Sequence, residues 1–100
     1  MSSVKKCNSL EEVREEIDNI DELIVKLISK RSHLVRQAAL FKNSIEEVKA
    51  DDRIDFILQR VRNLAIQEDV SPNMISDLFK IMINEMVETE ISEFRNTQIF

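Results

Sequence analysis

Three cations interrupt or flank an apolar stripe in the first long helical stretch of the chain: Arg14, Arg31 and Lys42. From Leu10 the apolar residues recur in steps of three and four, through Val13, Ile17, Ile20, Ile24 and Leu27 to Leu34, Ala38 and Phe41. Arg31 takes the step missing between Leu27 and Leu34. Arg14, Ile28, Val35 and Lys42 share a seven-residue repeat at the stripe's edge. A cation facing a core is costly unless an anion meets it. That anion is either a protein carboxylate, with Glu90 as a partner for Arg31, or a ligand.

Spacing limits which cations can act together. Arg31 and Lys42, on one helix, would lie about 16 Å apart along the axis and about 20° apart around it. Two long side chains leaning together can then hold one small ligand. Arg14 and Arg31 would be separated by about 25 Å. They cannot grip the same small ligand from one chain, so cooperation requires Arg14 from a second copy.

The elements that must position these side chains read as helices. Ser9-Leu10-Glu11-Glu12 has the form of a capping box, with Glu12 reaching back to the helix start. The spacing predicts helix one from there to about Lys42, with no Gly or Pro to stop it. Asn43-Ser44 is a break, and the stretch to Ala50 reads as a loop or a helical extension. Asp51 and Asp52 suit the start of helix two, whose stripe is Ile54, Leu58, Val61, Leu64 and Ala65. Residues 67–70 form a connection. Ser71-Pro72 then opens helix three as N-cap and first helical residue. Its stripe runs Ile75, Leu78, Phe79, Met82, Ile83, Met86, Val87, Ile91 and Phe94, with Glu90 inside it and no internal repeat. Residues 1–8 read as a loose tail before a single domain spanning 1–100. A helix of some 33 residues would reach about 50 Å, whereas a compact domain of this length has a radius of gyration near 13 Å. Such a rod overhangs its own globule. The expected architecture is therefore all-α, three helices per chain in an intertwined homodimer.

Composition narrows the function classes. The chain has 100 residues, no Gly, one Pro and a formal charge of -5. That charge argues against nucleic-acid binding, which calls for a basic face. No apolar run suits a membrane span or a signal peptide, so no membrane partner and a cytoplasmic location are expected. Cys7 is the single cysteine and His33 the single histidine. They do not make a metal site, and His33 reads as a solvated helix residue. Met74, Met82 and Met86 read as core, and Arg36, Arg60 and Arg62 as solvated.

The ordered set Val13-Arg14-x-x-Ile17-Asp18-x-Ile20-Asp21, Lys30-Arg31 and Phe41-Lys42 resembles the all-helical chorismate mutase family. It is closest to the branch that contains isochorismate pyruvate lyases of salicylate synthesis. The chain lies on that branch without gaps, from Cys7-x-x-Leu10 through Leu78-Phe79 to Arg95-x-Thr97. The resemblance implies three helices per chain in an intertwined dimer with two active sites. It implies that Arg14 of one chain, with Arg31 and Lys42 of the other, binds a small dicarboxylate, chorismate or isochorismate. Arg offers a planar fork to a carboxylate, and Lys a compact charge that can also reach the substrate's ether oxygen. The mutase reaction is pericyclic and needs neither nucleophile, metal nor cofactor. The protein holds a compact conformer and stabilises charge developing on the ether oxygen.

Two positions depart from the family pattern. Glu90 stands where the family usually has Gln as second donor to the ether oxygen, and it donates only when protonated. Burial would favour that state and neighbouring cations oppose it. At the start of helix two the family's Arg-acid pair reads Asp51-Asp52. Asp52 keeps the contact to a substrate hydroxyl, and the extra cation is missing unless Lys49 enters from the loop. The leading expectation is a chorismate mutase of aromatic amino acid synthesis, and the runner-up an isochorismate pyruvate lyase. A third, of another class, is a non-catalytic helical dimer with a regulatory or scaffolding role.

Overall fold

The computed structural model describes residues 4–97, and these are helical almost throughout. Helix α1 spans Leu10–Ala39, α2 Ile45–Val48, α3 Asp51–Gln67 and α4 Pro72–Thr97. The three long helices are those the sequence predicts, and α2 is a single turn between the first two. Helix α4 is the common partner against which α1, α2 and α3 all pack.

Helix α1 starts where its capping residues place it. Ser9 Oγ accepts from the Glu12 N–H at 3.1 Å. Glu12 Oε2 accepts from the N–H of Asn8, one residue before the cap, at 2.8 Å. Residues 1–3 of the expected tail lie outside the described residues, and Lys5 Nζ turns back to Glu16 Oε1 at 3.5 Å.

The other end of α1 corrects an expectation. The helix stops at Ala39, not Lys42, although neither Gly nor Pro interrupts it. The N–H groups of Leu40, Phe41 and Lys42 bond carbonyls three residues back, which tightens the last turn. Ser44 is extended and caps α2, its Oγ accepting from the Glu47 N–H at 3.2 Å. Glu47 Oε2 in turn accepts from the Asn43 N–H at 2.6 Å. The signal for this fold-back is in the sequence. Asn8-Ser9-Leu10-Glu11-Glu12-Val13 and Asn43-Ser44-Ile45-Glu46-Glu47-Val48 are nearly one hexapeptide, and they make the same two cap bonds. The turn brings Ala39 and Val48 together with Ile91 and Phe94 in the best-buried cluster.

Helix α3 ends without glycine. Asp69 takes the left-handed conformation at φ 58°, a region Asp tolerates better than most residues. The Val70 N–H then reaches the Ala65 carbonyl at 2.9 Å, closing the helix end. Ser71 caps α4 through the Met74 N–H at 3.2 Å. Arg62 is not simply solvated as expected: it donates to Asn73 Oδ1 at 2.9 Å and ties α3 to the start of α4. Of the methionines read as core, Met86 is buried and Met82 half-buried, but Met74 is exposed.

The fold is elongated, 58 × 26 × 18 Å, with a radius of gyration of 17.2 Å. Along α1 the stripe residues Leu10, Val13, Ile17, Ile20, Ile24 and Leu27 are each 39–63% exposed. Among the described residues that apolar face is left largely uncovered. Among the described residues no helix is long and apolar enough to cross a membrane.

Candidate active site

A cavity of about 340 Å³ opens where the C-terminal half of α1, the turn after it, α3 and α4 converge. Its polar lining side chains are Arg31, Lys42, Arg53 and Glu90, and the remainder are aliphatic residues and Met86. Three cations face one acid in a chain whose overall charge is -5.

Arg31 projects from the stripe of α1 towards α4. Its Nη1 meets the thioether of Met86 at 2.8 Å. A thioether is a weak acceptor, and among the described residues no carboxylate lies within ion-pair distance of this guanidinium. The pairing with Glu90, open on sequence grounds, is therefore not made. Burial, with the charge of Arg53 added, lowers the pKa of Arg31. Both causes act against its charge, and the attraction of a bound anion would offset them.

Lys42 does not share a helix face with Arg31, because α1 has already ended. It reaches the cavity from the turn, its Nζ donating to the Glu47 carbonyl at 3.0 Å. The same ammonium stands 3.6 Å from Glu90 Oε2. That distance makes an ion pair but is too long for a hydrogen bond. Glu90 Oε2 is buried and has no hydrogen-bond partner. Burial pushes the Glu90 carboxyl up, and the Lys42 charge offsets part of that rise. Glu90 Oε2 thus has a cation beside it but no hydrogen bond, in a side chain that lines the cavity.

Arg53 corrects the expectation of a missing cation. It lies on the first turn of α3, lines the cavity and holds its guanidinium 5.3 Å from the Phe56 ring centre. The cation enters at Arg53, one turn after Lys49, and Lys49 is not among the lining residues. The signal was available: Arg53 sits three residues into a helix that begins at Asp51.

Two expected site residues stand apart. Asp52 is exposed at the start of α3 and does not line the cavity; Ile54 and Ile57 do. Arg14 is exposed on the first turns of α1, about 25 Å along the helix from Arg31. A second, apolar groove of about 810 Å³ lies on the other side of Arg31, lined by Ile24, Leu27, Ile28, Leu78, Phe79 and Met82 among others.

Comparison with known proteins identifies the family. Residues 13–91 match the family described as chorismate mutase type II. The chain is 31% identical over 90 residues to a chorismate mutase of Methanocaldococcus jannaschii, covering 89% of this chain and 91% of that protein. It is 28% identical over 98 residues to an isochorismate pyruvate lyase of Pseudomonas aeruginosa, covering 98% of this chain and 97% of the other. A bifunctional chorismate mutase/prephenate dehydratase of Buchnera aphidicola shares 34% identity over 84 residues, and the chain spans only 22% of its length. With the family's match running from helix α1 into the last turns of α4, the chain belongs to the chorismate mutase type II family.

Proposed function

We propose that the protein is a chorismate mutase working as an intertwined homodimer, each cavity completed by Arg14 of the second copy. The observation that carries this is the cavity with Arg31, Lys42 and Arg53 around a single acid. Its volume falls in the range of small-ligand sites, and its excess positive charge calls for a dianion. Chorismate is a compact dicarboxylate. Arg31 and Arg53 suit its carboxylates, with the fork of Arg14 as a further clamp.

The reaction is a pericyclic rearrangement. The ether C–O bond breaks as a new C–C bond forms, and no proton or electron leaves the substrate. The enzyme therefore has two tasks, to hold the folded conformer and to stabilise negative charge building on the ether oxygen. Lys42 supplies one N–H donor to that oxygen. Glu90 supplies an O–H when neutral, the state its burial favours. Among the described residues the side chain of Arg31 hydrogen-bonds only a thioether, so nearly all its donors remain for the substrate.

The exposed face of α1 and the apolar groove beside Arg31 support the dimer. A second copy laid along α1 would cover both and carry its own Arg14 to this cavity. The chain would act as one catalytic domain in the cytoplasm, where a lone thiol such as Cys7 stays reduced.

One observation favours the lyase reading. Asp52 stays outside the cavity and aliphatic Ile54 and Ile57 line it, so the ring hydroxyl of chorismate lacks the carboxylate expected for it. Against that, Arg53 restores a cation at the start of α3. Incubation of the purified protein with chorismate and, separately, isochorismate decides between them. Prephenate from the first supports the mutase. Salicylate and pyruvate from the second, without prephenate, would replace it with the lyase. Turnover of neither would leave a non-catalytic dimer.

A further inference from the structure

The ammonium of Lys42 is aimed by a helix that cannot stand on its own. Helix α2 has four residues, far below the length at which a helix holds itself together in water. Three features keep it folded. Ser44 Oγ accepts the Glu47 N–H, Glu47 Oε2 accepts the Asn43 N–H, and Val48 is buried against Ala39, Ile91 and Phe94. The folded turn delivers the Glu47 carbonyl to within 3.0 Å of Lys42 Nζ. The two ends of the segment are thereby tied twice, Glu47's side chain to Asn43 and its carbonyl to Lys42.

The acceptor's chemistry matters. Glu90 is anionic when ionised, and a closer approach would neutralise the lysine. A backbone carbonyl is neutral: it orients the ammonium without adding to the charge that Glu90 offsets from 3.6 Å, and it leaves N–H donors for a ligand. The side chain of Lys42 is 26% exposed, so it is restrained but reachable.

We propose that Ser44 and Glu47 are positioning residues: their capping box folds α2 so that the Glu47 carbonyl holds Lys42 at the cavity. The consequence for catalysis rests on the reading of Lys42 as the ether-oxygen donor; the positioning itself does not. Ser44→Ala removes the cap, and Ser44→Asp replaces it with another good one.

The test measures acetylation of each lysine by acetic anhydride in the full chain, read by mass spectrometry after digestion, beside kcat/KM on chorismate. In wild type Lys42 reacts more slowly than Lys26, whose side chain is 64% exposed. Ser44→Ala raises the Lys42 rate by up to about fivefold, the shift in the folding equilibrium of α2 that loss of a helix cap produces, and lowers kcat/KM by a smaller factor. Lys26 is unchanged, and Ser44→Asp restores both readouts. Glu47→Ala keeps the carbonyl and loses only the bond to Asn43. It moves Lys42 in the same direction by less, and it serves as the test if circular dichroism shows Ser44→Ala to be unfolded. An unchanged Lys42 rate in a folded variant, or no recovery with Ser44→Asp, overturns the proposal. A wild type that turns over neither chorismate nor isochorismate but keeps this acetylation pattern supports the positioning and sinks only the catalytic reading.

Discussion

Between Leu10 and Leu27 the stripe of α1 is 39–63% exposed and Arg14 stands on an open surface. From Arg31 to Ala39 the same helix turns towards α4: its cation lines a cavity and its last residue is buried, although Leu34 between them stays 62% exposed. Periodicity is the same in both halves. The difference is what wraps around them. A cation in a stripe is a site candidate only where other elements enclose it and no protein carboxylate answers it, as at Arg31. In the exposed half the identical pattern describes a surface left open to solvent. An apolar face of that length rarely stays bare on a soluble monomer.

The largest effect expected from breaking this contrast is at Arg31. Arg31→Met removes the enclosed cation while keeping its stem, beside Met86. The rate kcat/KM on the preferred substrate should fall by about 10²–10³-fold, the cost of losing one preorganised charge. Thermal stability should hold or rise, because a poorly paired buried charge is gone. A large drop in melting temperature instead would mean that Arg31 is mainly a structural cation.

The exposed half is tested by sharing. Arg14→Ala and Arg31→Ala chains, each inactive alone, are mixed, unfolded and refolded together. Random pairing in a symmetric dimer makes half the dimers mixed, each with one intact site of two. Activity should return to about one quarter of wild type. No recovery, with mixed dimers demonstrated by mass spectrometry, would remove Arg14 from the site. Ile20→Asp should give a monomer by sedimentation, although a substitution at a half-exposed residue of a true monomer would change little.

The smallest and most diagnostic effect concerns Glu90. Its carboxyl is pushed up by burial, less the pull of Lys42. The folded protein therefore keeps a proton that the unfolded chain has already released. Stability should fall as pH rises from the ordinary glutamate range through the raised value. Activity should follow, since only the neutral acid donates to the ether oxygen. Glu90→Gln installs a donor that does not titrate. It should flatten the pH–rate profile, keep or raise activity near neutral pH, and add stability there that disappears in acid. A wild-type profile already flat, with Glu90→Gln indistinguishable from it, would take Glu90 out of the chemistry.

Much of the molecule was legible in the residues alone. Spacing in threes and fours, the Ser9 and Ser71 caps, Pro72 and the lack of glycine determine three long helices and their starts, because these are local effects of backbone and side-chain chemistry. The interruption at Arg31 and the acid within the last stripe pointed to a cation and a carboxylate that line the same cavity. The cap after Lys42 was present but not read: Asn43–Val48 repeats the helix start Asn8–Val13, in a stretch expected as a loop or a helical extension. Only the tertiary structure decided the rest. It ended α1 at Ala39, because folding back buries Ala39 and Val48 against α4, a gain that helix periodicity cannot register. It gave Glu90 to Lys42 rather than Arg31, placed Arg53 at the cavity and left Asp52 outside it. Those outcomes depend on how helices distant in sequence converge, and helical phase within one segment carries no information about that.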